Sequence, residues 1–177
     1  NLLTAYGIQD LEKYLNPTFE SIQNPEDFNN IKEGAELLIN SCNNKEKILL
    51  IVDCDCDGFT SAAIFYQYVK RIWPDIDIEY RLHEGKQHGL EDHIDWIESN
   101  PVYGLIVLPD SSSNDKEYHD RLLQYGMRCL ILDHHITDVE LSDNAVVINN
   151  QLSEKYLNKD LTGAGVVYQF CRYLDSV

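Results

Sequence analysis

Basic residues are scarce in this 177-residue sequence. Its 14 lysines and arginines stand against 30 aspartates and glutamates, which gives a formal net charge of −16. Proteins that hold long nucleic acids by bulk attraction use lysines and arginines to displace counterions from the phosphates. The composition therefore argues against that mode of binding, and a nucleic-acid contact would need a local basic strip, bound metal ions or a further domain. The same acidity suits the capture of cations.

Membrane-length apolar runs, internal repeats and zinc-type cysteine pairs are also missing. No apolar run approaches the length of a membrane span and no signal peptide opens the sequence, which predicts a cytoplasmic protein without membrane contact. The five cysteines are odd in number and lack CxxC spacing, so we expect reduced, mostly buried thiols. Because the sequence begins at Asn1, we expect a fragment or a processed chain.

What remains has the composition of one ordinary globular domain, with 44% hydrophobic residues. Apolar, β-rich runs alternate along it with segments of helical spacing. The runs lie at 48–52, 76–82, 105–108, 129–132 and 145–148, and the helical segments at 60–72, 90–98, 116–125 and 165–174. This alternation predicts an α/β fold with a parallel, Rossmann-like sheet of about five strands and helices on both faces.

A helical segment precedes the α/β pattern. Residues 2–15 show weak helical spacing, and a second helix is expected between Asn24 and Ile39. We therefore expect an N-terminal helical extension over residues 1–44 and the α/β domain over residues 45–177.

The stretch Ile48–Ser61 joins the first strand to a cluster of acids. Its apolar half is followed by Asp53, Asp55 and Asp57, and Gly58 then permits a tight turn into a helix. Side chains two apart on an extended backbone project to the same side, so the pattern predicts three carboxylates at one strand end. Such charges repel strongly unless a cation lies between them, and a divalent metal is the simplest solution.

Two further strands end in groups that can bind a metal. Asp110 follows the run at 105–109, and Asp133, His134 and His135 follow the run at 129–132. A single Asp in such a place is commonly a helix cap or a turn residue. Ligands of parallel sheets lie beyond the carboxyl ends of the strands, however, so three such groups favour one shared site.

The mixture of ligand types indicates which metal would bind. Mostly oxygen ligands with one or two imidazoles favour Mn²⁺ or Mg²⁺ over zinc. Two such ions can activate a water and stabilise the leaving oxygen of a phosphoester. Adjacent histidines on an extended segment point to opposite sides, so we expect His134 to bind the metal and His135 to bind the substrate phosphate.

Several segments together resemble the DHH phosphoesterases. The first three motifs of that family are matched by VDCDCDG, LPDSSSND and LDHH. Longer segments resemble RecJ-type single-stranded-DNA exonucleases, namely YLNPTFESIQNPEDFNNIKEGAELL, RLHEGKQHGL and VVINNQLSEKYLNKDLTGAGVVYQF. The resemblance covers nearly the whole chain and implies that residues 45–177 are a DHH catalytic domain, without the C-terminal substrate-binding domain of the family.

Carried over by position, the resemblance implies a role for each motif residue. Asp55 and Asp57 would bind metal, Asp110 would bridge two ions, His134 would bind one ion, and His135 would contact the scissile phosphate.

The resemblance also implies roles for residues around these ligands. Asp53 and Asp133 would orient ligands or waters. Gly163 and Gly165 would cradle a nucleotide phosphate with the amides of a helix start, although a simple helix-entry turn explains the same glycines.

Three features depart from the family pattern. Ile51 stands where many members carry a metal-binding histidine, and the second motif continues into 111–115, SSSND, where a short glycine turn is usual. The family's further metal-binding aspartate has no match before Val177. We therefore expect one ion to be held well and the second poorly.

A short basic strip is the best candidate for contact with a single strand of nucleic acid. Its members are Arg81, His83, Lys86 and His88, with Arg81 and His88 the stronger candidates, and the tyrosines that could stack on bases are Tyr80, Tyr118 and Tyr125. A solvated loop with half-buried tyrosines is the alternative.

The sequence therefore predicts a RecJ-like, metal-dependent phosphodiesterase core that degrades single-stranded DNA from 5′ to 3′ with two metal ions; DNA preference and polarity follow from the resemblance alone. One alternative is the same chemistry on oligonucleotides, cyclic dinucleotides or pyrophosphate. Another is a catalytically silent DHH scaffold in DNA replication or repair. The isolated chain is expected to bind nucleic acid tightly only with a further domain.

Overall fold

The centre of the molecule is a parallel sheet. The computed structural model describes residues 2–83 and 88–177. Its strands are β1 (Ile48–Val52), β2 (Ile78–Leu82), β3 (Leu105–Pro109), β4 (Arg128–Asp133) and β5 (Ala145–Asn149). The five strands are all parallel and lie in the order β2-β1-β3-β4-β5, which confirms the predicted α/β class.

The strand order places a crevice between β1 and β3. From β1 the chain adds β2 on one side, and it then crosses back to add β3, β4 and β5 on the other. Ligands of such sheets bind at the point where the order reverses, outside the carboxyl ends of the strands. The segments that follow β1 and β3 therefore meet at the natural binding position of this fold.

Both faces of the sheet are buried along the inner strands β1 and β3, whereas the edge strand β2 is partly exposed. Successive side chains of a strand point to opposite faces, so each inner strand contributes to both. On one face Leu50, Val107 and Leu130 pack under α3 (Ile31–Asn43), α4 (Cys56–Ile72) and α7 (Gly163–Leu174). On the other face Leu49 and Ile106 pack with residues of α5 (Ile94–Ser99) and α6 (Lys116–Leu123).

The N-terminal segment differs from the single weak helix expected over residues 2–15. It forms two short helices, α1 (Leu2–Ala5) and α2 (Leu11–Leu15), on either side of Gly7, whose φ of +84° ends the first helix. Two 3-10 helices follow at Phe19–Ser21 and Pro25–Asp27.

The helix α4 begins earlier than predicted. It starts at Cys56 instead of Thr60, because the Asp55 carboxylate accepts a hydrogen bond from the Gly58 amide at 2.9 Å and so caps the helix directly after the strand. The acids of the first motif consequently stand at a strand-to-helix turn, and only Asp53 continues the line of the strand.

The N-terminal extension is not separate from the core. Phe28, Ile31 and Leu38 are buried in the same apolar cluster as Ile148 of β5. The boundary expected between residues 44 and 45 stays a prediction. No helix in the described part of the chain is both long and apolar enough to cross a membrane.

The cysteines are free thiols, as expected. Cys42, Cys129 and Cys171 are buried, whereas Cys54 is half-buried and Cys56 is exposed at the start of α4. Burial of the thiols therefore holds for three of them and fails for the pair in the acidic motif.

A phenylalanine pair tests the weight of the core. Phe65 on α4 is fully buried, whereas Phe19 is 74% exposed. We expect Phe65→Ala to lower the free energy of unfolding by about 3–5 kcal/mol, because it removes buried area and leaves a cavity. Phe19→Ala should change it by less than about 0.5 kcal/mol. Urea unfolding of both variants measures the difference, and equal effects would contradict this core assignment.

Buried His119 on α6 makes stability depend on pH. Burial lowers its pKa from 6.5 to about 4, so the unfolded chain binds the proton more tightly than the folded one. Its contribution to stability is complete above pH 6.5 and is lost as the pH falls toward 4, by about 3 kcal/mol at most. We expect His119→Gln to reduce this loss in unfolding curves recorded between pH 7 and 4. The same slope in both proteins would contradict the assignment.

Candidate metal centre

Asp53, Asp55 and Asp57 have three different surroundings at the end of β1. Asp53 is fully buried, and its carboxylate accepts a hydrogen bond from the Cys54 amide at 2.8 Å. Asp55 is exposed and caps α4. Oxygens of Asp53, Asp55 and Asp110 lie within 4.8 Å of one another, close enough to share one cation.

Asp57 turns toward the start of α7. Its two carboxylate oxygens accept hydrogen bonds from the amides of Gly163 at 2.8 Å and Ala164 at 2.9 Å. These amides carry the positive end of the helix dipole, which stabilises the charge on Asp57. The site therefore includes the start of α7, which follows Asp57 by more than one hundred residues in the sequence.

Asp110 is the least compensated acid of the site. Its side chain is 1% exposed, and its Oδ1 has no hydrogen-bond partner of good geometry within residues 2–83 and 88–177. Burial raises the pKa of this carboxyl to about 8, and the negative charges of Asp57, Asp55 and Asp133 add to the shift. A cation beside Asp110 would relieve both effects.

Asp110 is also held in a strained backbone conformation. Its φ is +69°, in the left-handed region that a residue with a side chain rarely adopts. The Asp110 amide donates to the carbonyl of Leu132 at 2.8 Å, which continues the ladder between β3 and β4. Strain of this kind is found where the surroundings fix a residue for a purpose.

His134 faces two of the acids. Its Nε2 lies 3.1 Å from Asp110 Oδ1 and 3.7 Å from Asp57 Oδ2. The structure thus brings together His134, Asp110 and Asp57 as predicted, with the imidazole nitrogen directed at the carboxylate oxygens.

Asp133 holds the neighbouring imidazole. Its Oδ1 accepts hydrogen bonds from the His134 amide at 2.7 Å and from His135 Nδ1 at 2.7 Å, and its Oδ2 accepts from the Ser113 amide at 3.1 Å. Burial alone would raise the pKa of Asp133, but these hydrogen bonds outweigh it and hold the pKa below the ordinary value.

The contact with Asp133 favours the protonated form of His135. The hydrogen bond to Asp133 raises the pKa of His135 to about 9, despite partial burial. Half of the His135 side chain is exposed. A protonated, accessible imidazole suits a phosphate, and one nitrogen of His135 also lies within 4.8 Å of ligand atoms of Asp110 and His134.

The basic strip expected around residue 83 divides in the structure. His88 Nδ1 lies 2.7 Å from Asp53 Oδ2, and its ring centroid is 6.3 Å from that of His135, so His88 stands at the site. Arg81 instead stacks on Trp96 at 3.7 Å and makes no ion pair within residues 2–83 and 88–177.

The other members of the strip contribute less. His83 is buried against His93, with ring centroids 4.5 Å apart, so it does not offer charge to solvent. Lys86 lies outside the described residues. Among the tyrosines, Tyr80 is 60% exposed on the edge strand β2.

The amides of Gly163 and Gly165 are both engaged inside the protein. Gly163 donates to Asp57, as described above, and Gly165 donates to the Thr162 hydroxyl that caps α7 at 3.2 Å. Their role as a phosphate cradle stays a prediction. Gly163 has a steric role as well, because a Cβ at this position would lie 2.7 Å from the Cβ of Asp110.

A cleft of ≈ 640 Å³ opens beside these groups. Its walls are His88, the segment 111–115 after Asp110, and the segment 133–136. The cleft borders His135 and reaches Asp133 and His134.

Comparison with known proteins shows to which family this chain belongs. A model described as the DHH family, N-terminal domain, matches residues 47–176. The chain belongs to the DHH family. The motifs VDCDCDG, LPDSSSND and LDHH therefore mark a DHH site, and the resemblance inferred from them is confirmed.

Curated DHH relatives are named as exonucleases. A protein of Bacillus subtilis named as an SPbeta prophage-derived single-strand DNA-specific exonuclease, YorK, is 40% identical over 174 residues, which are 98% of this chain and 29% of YorK. The single-stranded-DNA-specific exonuclease RecJ of Haemophilus influenzae is 27% identical over 171 residues, 94% of this chain and 29% of RecJ. The chain thus spans less than a third of these relatives.

Solved structures share the DHH fold. RecJ from Thermus thermophilus in complex with Mn²⁺ superposes with a TM-score of 0.77 at 19% identity, covering 98% of this chain and 24% of that one. A crystal structure of exonuclease RecJ bound to manganese gives 0.73 at 22% identity, over 84% of this chain and 38% of that one. These matches confirm the fold.

The roles of two residues of this DHH site, Asn149 and Gly58, were not predicted from the sequence. The Asn149 side-chain amide donates to Ser113 Oγ at 3.0 Å and to the His135 carbonyl at 2.9 Å, and so fixes the segments after β3 and β4 against each other. A signal was present, since Asn149 ends β5 as Asp133 ends β4. The close packing at residue 58 also requires glycine, because a Cβ there would lie 2.5 Å from the Cβ of Asp53.

A pair of glycines on α7 tests the packing of this DHH site. We expect Gly163→Ala to lower the free energy of unfolding by about 1–3 kcal/mol, because the new methyl group would overlap Asp110. Gly165→Ala meets only the flexible end of Leu161 and should cost less. Denaturant unfolding of both variants measures this, and an equal or larger cost at Gly165 would refute the close approach of α7 to Asp110.

Proposed function

We propose that this chain is the DHH core of a RecJ-like, metal-dependent phosphodiesterase that hydrolyses single-stranded DNA. The observation that carries the proposal is the convergence of Asp55, Asp110 and His134 at the switch point of the sheet. There the buried Asp110 Oδ1 has no hydrogen bond of good geometry within residues 2–83 and 88–177, and His134 Nε2 lies 3.1 Å from it. Relatives named as single-strand DNA-specific exonucleases support this choice of substrate.

The residues of the site fit a divalent metal. Asp55, Asp57, Asp110 and His134 would hold it through carboxylate oxygens and one imidazole, the donor set that Mn²⁺ and Mg²⁺ accept. RecJ structures bound to Mn²⁺ favour manganese. When bound, such ions supply a nucleophilic water and neutralise negative charge on the phosphate.

We propose two ions, of which this chain holds one more completely than the other. Ile51, where many DHH members carry a metal-binding histidine, is fully buried in the apolar layer under α5 and α6. Asp57 is committed to the amides of α7. Asp110 has oxygens within 4.8 Å of ligand atoms of both Asp53 and Asp55 and both His134 and His135, so it would be the ligand common to the two groups.

The remaining residues would bind and orient the substrate. His135, charged through Asp133, would donate a hydrogen bond to a non-bridging oxygen of the scissile phosphate. Asp133 would keep the ring oriented and stabilise its charge. His88, fixed by Asp53, would line the other wall of the cleft.

The acidity of the chain sets how DNA would be held. With a net charge of −16, attraction to the phosphate backbone would be confined to the metal ions and the histidines of the cleft. We propose that tight binding of a long single strand, 5′ to 3′ polarity and a cytoplasmic location belong to the whole protein.

The proposal is tested with the protein as its gene encodes it. We expect Mn²⁺-dependent release of nucleotides from long single-stranded DNA labelled at its 5′ end. Asp110→Asn should lower the rate of nucleotide release by at least about 100-fold, because it removes the negative charge of the ligand shared by the Asp53–Asp55 and His134–His135 groups. The free energy of unfolding should stay within about 1 kcal/mol, since relieved repulsion offsets lost interactions. Asp143→Asn is the matched control, because Asp143 is exposed and lies just before the amino end of β5, at the opposite edge of the parallel sheet from the site.

The same assay separates the alternatives. Hydrolysis confined to dinucleotides, cyclic dinucleotides or pyrophosphate would replace the exonuclease with a small-substrate phosphodiesterase or pyrophosphatase. Absence of hydrolysis of every substrate would favour a silent scaffold, and unchanged turnover in Asp110→Asn would remove the metal assignment.

A further inference from the structure

Asp115 occupies a helix cap position but does not cap its helix. It is the residue before α6, where an aspartate normally accepts a hydrogen bond from the first turn of the helix. Its side chain makes no such bond. The carboxylate is therefore used for other contacts, at the expense of the local stabilisation available to it.

Those contacts join two separate segments of the site. Asp115 Oδ2 accepts a hydrogen bond from the Leu90 amide at 2.7 Å and another from Ser112 Oγ at 2.5 Å. Leu90 belongs to the segment 88–90, which begins with His88. Ser112 belongs to the turn 110–115, which begins with Asp110.

The backbone of the segment 88–90 is shaped to reach the carboxylate. Gly89 has a φ of +88°, and a Cβ at this position would lie 3.0 Å from the carboxyl carbon of Asp115. A side chain there would be strained and would collide with the acid. The close approach thus requires glycine at residue 89.

The turn 110–115 needs support, because two of its residues are strained. Asp110 and Ser112 have φ values of +69° and +80°. The Ser112 hydroxyl lies between Asp115 Oδ2 and His119 Nε2, the latter at 3.2 Å. Side-chain hydrogen bonds of this kind hold a conformation that the backbone alone would leave.

We propose that Asp115 is a positioning residue that fastens the segment 88–90 to the turn 110–115, and so sets the place of His88 over the metal centre. The inference rests on the proposed function and deepens it, since it adds a residue that controls substrate binding. Asp115 itself acts through its neighbours and contacts neither metal nor phosphate in this scheme.

The chain of contacts explains how the effect reaches the site. Asp115 holds the Leu90 amide, and two residues earlier His88 Nδ1 bonds to Asp53. His88 and His135 both line the cleft, with ring centroids 6.3 Å apart. Releasing Leu90 would free His88 from one of its two anchors and weaken its contact with a bound substrate.

Two readouts test the proposal. Hydrogen exchange of the Leu90 amide, followed by NMR without substrate, should become at least about tenfold faster in Asp115→Ala. With 5′-labelled single-stranded DNA and Mn²⁺, KM should rise roughly tenfold while kcat changes less than about twofold, because the lost contact is one of binding. Asp115→Asn retains an acceptor oxygen and should restore part of both effects.

Asp120→Ala is the matched control. Asp120 lies on α6, the helix that follows Asp115, and its carboxylate accepts hydrogen bonds from Ser142 and Lys116, both of which lie outside the segment 88–90. Unchanged Leu90 exchange in Asp115→Ala, equal acceleration in Asp120→Ala, or faster exchange with unchanged KM would each overturn the proposal. Exchange is measured without substrate, so a wild type that hydrolyses nothing counts against the proposed function alone.

Discussion

The burial of negative charge at one edge of the sheet is the constraint on which the site depends. Asp53, Asp110 and Asp133 are each no more than 1% exposed. Asp53 and Asp110 directly follow β1 and β3, and Asp133 is the last residue of β4, so the three lie at the carboxyl ends of adjacent strands. Carboxylates that are buried together without compensation would protonate or disrupt the fold. The surrounding structure can be understood as the set of groups that compensate this charge.

The three buried carboxylates differ in how many donors compensate their charge, and this difference supports the proposed metal site. Asp53 has a backbone amide and His88, and Asp133 has two histidine contacts and the Ser113 amide. For Asp110, the structure places His134 Nε2 at 3.1 Å without good hydrogen-bond geometry, and burial with the neighbouring acids raises the Asp110 pKa to about 8. The protein thus satisfies the outer acids with its own donors, and the central one, Asp110, is the ligand that we propose for a cation.

The parallel sheet, its two covered faces and the polar residues at its strand ends could be predicted from the sequence, because apolar runs and the residues that follow them are local features. Contacts that join distant segments could not be predicted in the same way. The bonds from the amides of α7 to Asp57, and from Asn149 to the His135 carbonyl, depend on how helices and strands pack. Asp57 was expected on extended backbone in line with Asp53 and Asp55. It lies instead in the first turn of α4, because capping by Asp55 starts this helix immediately after the strand.

The most direct measurement of the central claim is calorimetric titration of the protein with Mn²⁺. The account predicts saturable binding to the wild type and binding at least about tenfold weaker in Asp110→Asn, since the uncompensated carboxylate is the shared ligand. Equal affinity in the two proteins, or no binding by the wild type, would contradict it.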